Sequence, residues 1–181
     1  MEEQTRPFEV VISREQIIDR VNAMAHDIAA EYQGDFPYVL ALANGAAFFA
    51  VDLHRALFDI GVDTEFDLIH VESYGDAQES NRKPKLNDRF NTLPIAGRRV
   101  LVVDDVLDTG HTAQLVTDEA VKAGVTDVKT AFLTRKPETC REVAFQGDFI
   151  GFDVPDQWIE GAGLDSAKKG RGRGDVIGYT D

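Results

Sequence analysis

An α/β fold, with a twisted parallel sheet flanked by helices on both faces, is what this sequence predicts. Two observations carry that expectation: short apolar runs read as buried strands, and segments of helical period closed by glycine stand between them. A third locates the functional edge. Adjacent acids and a Thr-Gly-x-Thr turn follow one of the strands, and ligands of open α/β sheets gather at the carboxyl ends of strands.

Taken in order, Ser13-Arg14-Glu15-Gln16 has capping-box spacing, and Ile12 and Ile17 can form the accompanying staple. Ile17, Val21, Met24 and Ile28 then recur at helical spacing, so the first helix has one buried stripe. YVLALA at 38–43 reads as a buried strand, Asn44-Gly45 breaks it, and AAFFAVDLHRALF runs as a helix until Gly61. FDLIHVES at 66–73 is a second strand and RVLVVDD at 99–105 a third. HTAQLVTDEAVKAG at 111–124 is the helix that follows, closed by Gly124, and VKTAFLT and FIGFDV add two more strands. Between the second and third strands, YGDAQESNRKPKLNDRFNTLPIAG at 74–97 is long and polar for a passive connection and reads as a mobile lid.

A chain of 181 residues, 43% hydrophobic and 28% charged, fits one soluble domain, taken here as residues 1–181. No apolar run approaches the roughly 18 residues of a membrane span, and the opening MEEQTRPFEV lacks a signal-peptide layout, so the cytoplasm is the expected compartment. The lone Cys140 has no partner for an intrachain disulfide and no neighbours at metal-site spacing. A net charge of −13 argues against nucleic acid or an anionic membrane as partner, since both need clustered Lys and Arg. One basic island, KKGRGRG at 168–174, stands against that background and suits a small polyanion or a solvated tail.

The stretch VVDDVLDTGHT at 102–112 is the most informative. Val100–Val103 form the strand, Asp104 and Asp105 emerge where it leaves the sheet, and Asp108 lies on the loop above, so three acids face one crevice. Such a cluster must meet a cation, accept hydrogen bonds from a diol, or stay solvated. Directly after it, Asp108-Thr109-Gly110-His111-Thr112 opens a helix, where free backbone N–H groups and two hydroxyls can encircle a phosphate. A sugar phosphate satisfies both halves. Neither G-x-x-x-x-G-K-[ST] nor a G-x-G-x-x-G after the first strand is present, which sets aside ATPase and dinucleotide readings. A phospho-accepting aspartate domain would place its acid pair after the first strand of a shorter chain.

VLVVDDVLDTGHT resembles the signature of the type I phosphoribosyltransferases, which bind 5-phosphoribosyl 1-pyrophosphate. LANGAAFFAVDLHRAL, ESYG, VKTAFLTRKP and FIGFDVPDQWIEGAGLD resemble, in order, segments of the hypoxanthine-guanine (6-oxopurine) branch, so the likeness spans roughly 38–173. The resemblance implies a sheet domain with a small hood built from the N-terminal segment and about 155–181. It implies purine salvage, with Mg2+ as cofactor, the phosphoribosyl donor and a purine base as ligands, and a homodimer or homotetramer.

The resemblance also assigns roles. Asp104 and Asp105 hold the ribose hydroxyls, and Asp108 sits near N7 of the purine as general base, with a pKa expected to be raised by its acidic neighbours. Thr109, Gly110, His111 and Thr112 surround the 5′-phosphate, with only the backbone of His111 needed. Asn44 and Gly45 meet the pyrophosphate through backbone N–H groups and the amide, where relatives usually carry a lysine; Arg171 contacts the same group, with Arg173 a weaker match. Ser73 and Tyr74 match the lid tip. Trp158 stacks on the purine, and the Ile159 backbone meets its edge. Asp165 reaches the metal, with Asp104 as second candidate ligand. For the 6-oxo group, counting from the strand selects Arg135 and counting back from Pro137 selects Lys136; the amine on its flexible stem is preferred. Trp158-Ile159-Glu160 also looks like xanthine-accepting relatives. Two rivals remain at this point, a nucleotide-sensing RNA-binding regulator on the same fold and an adenine-specific transferase.

Overall fold

The computed structural model describes residues 7–74 and 83–180, with the side chains of 72–74 and 83 outside that description. The chain begins with β1 (Phe8–Ile12) and α1 (Arg14–Tyr32), then β2 (Tyr38–Ala43), α2 (Ala47–Asp59) and β3 (Phe66–Tyr74). β4 (Lys83–Leu86), a 3-10 turn at Asp88–Thr92, β5 (Arg99–Leu107), α3 (His111–Lys122) and β6 (Asp127–Arg135) follow. A second 3-10 turn (Glu138–Cys140) leads to β7 (Phe149–Asp153), β8 (Ile159–Glu160) and β9 (Val176–Tyr179).

The capping box forms as the spacing predicts. The Ser13 hydroxyl accepts from the Gln16 backbone N–H at 3.3 Å, and the Gln16 side-chain carbonyl accepts from the Ser13 N–H at 2.8 Å. Both orphan donors are thereby satisfied, and the Ile17, Val21, Met24 and Ile28 stripe is buried.

Six strands form the main sheet in the order β4-β3-β2-β5-β6-β7, parallel except at the β3–β4 edge. Strand alternation divides the core into two layers. Val39 and Ala41 of β2 and Leu101 and Val103 of β5 face α1 and α2, packing with Met24, Ile28, Phe49 and Leu53. Tyr38, Leu40 and Leu42, with Val100 and Val102, face Val116 and Ala120 of α3. Burial on both faces explains why these strands read as continuous apolar runs. Each buried Leu, Ile or Phe contributes about 1.5–3 kcal/mol of transfer free energy.

The order of connections positions the site. From β2 the chain winds to β3 on one side, then crosses to β5 and β6 on the other. The crossovers after β2 and β5 therefore diverge, and a crevice opens between the Asn44-Gly45 turn and the Asp104–Thr112 segment.

Three features depart from the sequence expectation. Phe8–Ile12, expected to belong to the hood but not read as a strand, pairs antiparallel with β9, which pairs with β8 in a separate three-stranded sheet that makes up the expected hood of N- and C-terminal segments. The predicted lid at 74–97 is not uniform. Residues 83–97 are built into the fold through β4, the 3-10 turn and buried Phe90 and Ile95, because those two side chains complete the core under α3. The remainder of that expectation, 75–82, lies outside the described residues. Third, β5 continues two residues past Asp105, since Val106 and Leu107 still pair with Thr134 and Arg135 of β6.

Candidate active site

The crevice is a cleft of about 340 Å³ lined by Gly45, Asp104, Asp105, Asp108, Thr109, Gly110, Thr112, Asp165 and Arg171 together with apolar groups of β2, β3, β5 and α3. Nine residues expected at the site, from the turn at 45 and the stretches 104–112 and 165–171, thus meet in one place. Within β5 the Asp104 carboxylate accepts the Asp105 N–H at 3.0 Å, and the Thr134 hydroxyl donates to the Asp105 carbonyl at 3.0 Å. The Lys136 N–H donates to the Leu107 carbonyl at 3.0 Å, so the ends of β5 and β6 are held level.

Burial, and then the Asp105 charge beside it, push the Asp104 carboxyl well above the usual carboxylate range. Burial raises Asp105 as well, opposed by hydrogen bonding from Asp104 and by the Arg171 charge. Neither acid has an ion-pair partner among the described residues. A desolvated, uncompensated pair of this kind is stabilised by any ligand that brings hydroxyl donors or a cation.

Beyond it, Gly110 takes φ 89°, a left-handed conformation, and serves as N-cap of α3 without any side-chain cap. The first intrahelical bond runs from the Gln114 N–H to the Gly110 carbonyl at 2.9 Å, which leaves the three preceding N–H groups pointing out of the helix end beside the hydroxyls of Thr109 and Thr112. Uncapped donors at a helix N-terminus suit a phosphate. The His111 ring is turned away to Glu142, 2.8 Å from its carboxylate, and does not line the cleft.

Asp108 is not surrounded by acids as the sequence suggested. Its nearest charged neighbour is cationic: Lys136 Nζ lies 3.3 Å from its carboxylate and 3.9 Å from that of Asp156. Of the two candidates for the 6-oxo group, Arg135 is engaged elsewhere, its guanidinium paired at 2.7 and 3.2 Å with both carboxylate oxygens of Asp153. That pairing holds the Asp153 carboxyl below its ordinary range. Only Lys136 reaches Asp108.

Asp165 is also occupied. One carboxylate oxygen meets the Arg171 guanidinium at 2.6 Å, and the other accepts the Lys168 N–H at 2.6 Å. Arg171 further donates to the Gly163 carbonyl at 2.6 Å, whereas Arg173 turns to Asp175. The Ala43–Asn44 peptide is cis, and of the two expected pyrophosphate residues Gly45 lines the cleft while Asn44 does not. A Cβ on Gly45 would overlap the Asp105 carboxylate, so the turn passes directly over that acid. Trp158 is 57% exposed and outside the cleft lining, while Ile159 is buried in β8 opposite Gly178. Ser73 and Tyr74 end β3, where their side chains are not described.

No three His, Cys, Asp or Glu side chains among the described residues could hold a metal by themselves. Magnesium asks for less, since it keeps several waters and takes one or two carboxylates together with phosphate oxygens. Desolvated Asp104 and Asp105, with Asp165 on the same cleft, fit that donor set.

Two residues of the site escaped the sequence reading. Asp156 received no role from the sequence, although its carboxylate lies 3.9 Å from Lys136 Nζ. Arg141, in the charged stretch RKPETCRE, received no role there either; its guanidinium donates to the carbonyls of Asp108, of Lys136 at 3.0 Å and of Phe145 at 3.3 Å. Nothing in local sequence distinguishes such an arginine from an exposed one.

Comparison with known proteins agrees with this geometry. The model of the phosphoribosyl transferase domain matches residues 12–167. The hypoxanthine-guanine phosphoribosyltransferase of Aquifex aeolicus is 36% identical over 177 residues, 97% of either chain. The bifunctional protein TilS/HprT of Listeria innocua is 32% identical over 90% of this chain, which spans only 24% of that relative. Among solved structures, a hypoxanthine-guanine phosphoribosyltransferase from Bacillus anthracis superposes with a TM-score of 0.84 at 31% identity, over 95% of this chain and 98% of that one. The chain therefore belongs to the phosphoribosyltransferase family, in its hypoxanthine-guanine branch.

Proposed function

We infer that this chain is a 6-oxopurine phosphoribosyltransferase of purine salvage. It transfers the 5-phosphoribosyl group from 5-phosphoribosyl 1-pyrophosphate to N9 of hypoxanthine or guanine, with xanthine a further candidate, giving the nucleotide and pyrophosphate. The observation that carries this reading is the juxtaposition, in one cleft, of the adjacent acids Asp104 and Asp105 with the uncapped N-terminus of α3. Hydroxyls and phosphate of one sugar answer both.

In this reading the 5′-phosphate rests on the N–H groups after Gly110 and the hydroxyls of Thr109 and Thr112, and the ribose hydroxyls hydrogen-bond Asp104 and Asp105. Arg171 and the Gly45 backbone receive the pyrophosphate, for which a planar guanidinium fork is suited. Asp165 and Asp104 would hold magnesium, which supplies charge neutralisation of the leaving pyrophosphate when bound. As the bond between C1′ and the pyrophosphate oxygen breaks, the electron pair leaves with pyrophosphate and a bond forms from C1′ to N9. Asp108 takes up the proton that the purine loses, and Lys136 donates to its 6-oxo group. That cation disfavours adenine, whose 6-amino group is itself a donor. Trp158 offers a stacking face for the base, and Ser73 and Tyr74, which match the lid tip of relatives, are the residues expected to keep water from C1′. A homodimer or homotetramer in the cytoplasm is the expected setting.

A panel of hypoxanthine, guanine, xanthine and adenine with the phosphoribosyl donor, with and without magnesium, tests the reading by ultraviolet absorbance. Magnesium-dependent nucleotide formation with at least one 6-oxopurine, and little with adenine, is expected. Failure with every 6-oxopurine overturns it.

A further inference from the structure

We propose that Arg141 is a positioning residue for phosphoribosyl transfer, one guanidinium that fixes Asp108 relative to Lys136 and backs the phosphate turn. The inference rests on the transferase reading for its kinetic consequences, although the contacts stand independently of it.

The path of the chain brings Arg141 there. Pro137 ends β6, and the 3-10 turn that follows, closed by the Cys140 N–H to the Pro137 carbonyl at 2.9 Å and the Arg141 N–H to the Glu138 carbonyl at 2.9 Å, returns the chain beneath its own strand end. The half-buried side chain then reaches three backbone carbonyls on two separate segments. Nη1 donates to the carbonyl of Asp108, Nη2 to that of Lys136 at 3.0 Å, and Nε to that of Phe145 at 3.3 Å. Of these, Asp108 and Lys136 are the two residues whose side chains meet at 3.3 Å. The next residues extend the splint. The N–H groups of Glu142 and Val143 both donate to the Thr109 carbonyl, at 3.0 and 3.3 Å, and Val143 packs where a Cβ of Gly110 would stand.

A guanidinium carries five N–H donors in a rigid fork, so three fixed carbonyls define one relative placement of their segments. An ammonium on a flexible stem cannot span them in one plane. Arg141 does not line the cleft, which separates this role from contact with ligand: it acts through the residues it holds.

The test uses the full chain with Arg141→Ala, Arg141→Lys and Asp108→Asn/Arg141→Ala. Misplacing a reacting group by an ångström costs on the order of 100-fold, so Arg141→Ala should lower kcat with hypoxanthine by about 30–100-fold with a smaller change in KM for the donor. Arg141→Lys should rescue poorly, and millimolar guanidinium ion should restore part of the activity of Arg141→Ala but none of Arg141→Lys. In the Asp108→Asn background the further loss should shrink to within about threefold, because the residue being positioned is already disabled. Hydrogen exchange supplies a readout that needs no activity: Arg141→Ala should speed exchange in a peptide covering 106–113 while leaving 99–103 unchanged. Unaltered exchange at 106–113, or a full additive loss in the Asp108→Asn background, overturns the proposal. A wild-type chain inactive on every purine would defeat the transferase reading, and the exchange result would still decide whether Arg141 anchors the turn.

Discussion

Lys136 Nζ stands 3.3 Å from the carboxylate of Asp108, and the lysine side chain is 15% exposed. Acid and ammonium are thus held side by side, which is the arrangement that the proposed roles toward a ring nitrogen and an exocyclic oxygen require. A charge-assisted hydrogen bond contributes about 1.5–3 kcal/mol, and each 1.4 kcal/mol is tenfold. Lys136→Met should therefore raise KM for hypoxanthine and guanine by about 10–100-fold while KM for the donor stays within about threefold. Asp108→Asn should instead lower kcat by about 100-fold or more, the usual scale of general-base loss. Steady-state kinetics with both substrates varied would check the division, and equal effects of the two substitutions on kcat would refute it.

The carboxylate of Asp105 lies against the α-carbon of Gly45. Overpacking of this sort costs about 1–3 kcal/mol, so Gly45→Ala should lower the melting temperature and weaken donor binding. Gly45→Ala/Asp105→Ala removes the overlap and should recover the melting temperature, yet not the activity, since a ribose acceptor is gone. Thermal melts alongside donor titrations separate the two effects. A double variant melting no higher than Gly45→Ala would show that the overlap is not the cause.

Much of this site was legible before any coordinates. Val100–Val103 followed by Asp104, Asp105 and Asp108 places the acids at a strand end by periodicity alone, and a glycine before His111 signals an uncapped helix start. What sequence left open involved partners distant in the chain. Arg135 and Lys136 are adjacent and similar, and their separation follows from strand alternation, which sends one to Asp153 and the other to Asp108. The acidic surroundings expected for Asp108 failed for the same reason: spacing gives the acids but not the lysine arriving from β6. The hood of N- and C-terminal segments was expected from the resemblance, but its strand pairing was not, because β1 finds its partner, β9, at the opposite end of the chain.

Asp165 and Arg171 pair at 2.6 Å, so the proposed metal carboxylate and the proposed pyrophosphate cation neutralise each other across the cleft. Donor and magnesium together should part them, the guanidinium turning to phosphate as the carboxylate turns to the metal. Loss of a residue that orients a metal's surroundings costs about 10–100-fold in metal affinity, so Asp165→Asn should raise the magnesium concentration for half-maximal activity by about tenfold. Arg171→Lys should raise KM for the donor without moving the magnesium dependence. A magnesium titration of both variants would decide, and an unchanged magnesium requirement in Asp165→Asn would remove that residue from the metal's neighbourhood.

Asp104 should make the protein less stable as pH rises, the reverse of an ordinary paired carboxylate. Its folded-state pKa lies above the unfolded value because burial and the Asp105 charge disfavour ionisation. Between those two values the native state binds more protons than the unfolded chain, so unfolding free energy falls as pH rises through the window, and the loss is complete above the folded pKa. Asp104→Asn keeps the shape and removes the charge. Without donor or magnesium, it should melt higher than wild type at neutral pH, by about 2–4 °C for each kcal/mol relieved, with the advantage shrinking as acid protonates the wild-type carboxyl. The same variant should bind the donor more weakly, having exchanged an acceptor carboxylate for an amide. Melting curves over a pH series test the sign directly: a variant that melts below wild type at neutral pH, with the gap closing in acid, would mean that the ionised carboxylate stabilises the fold.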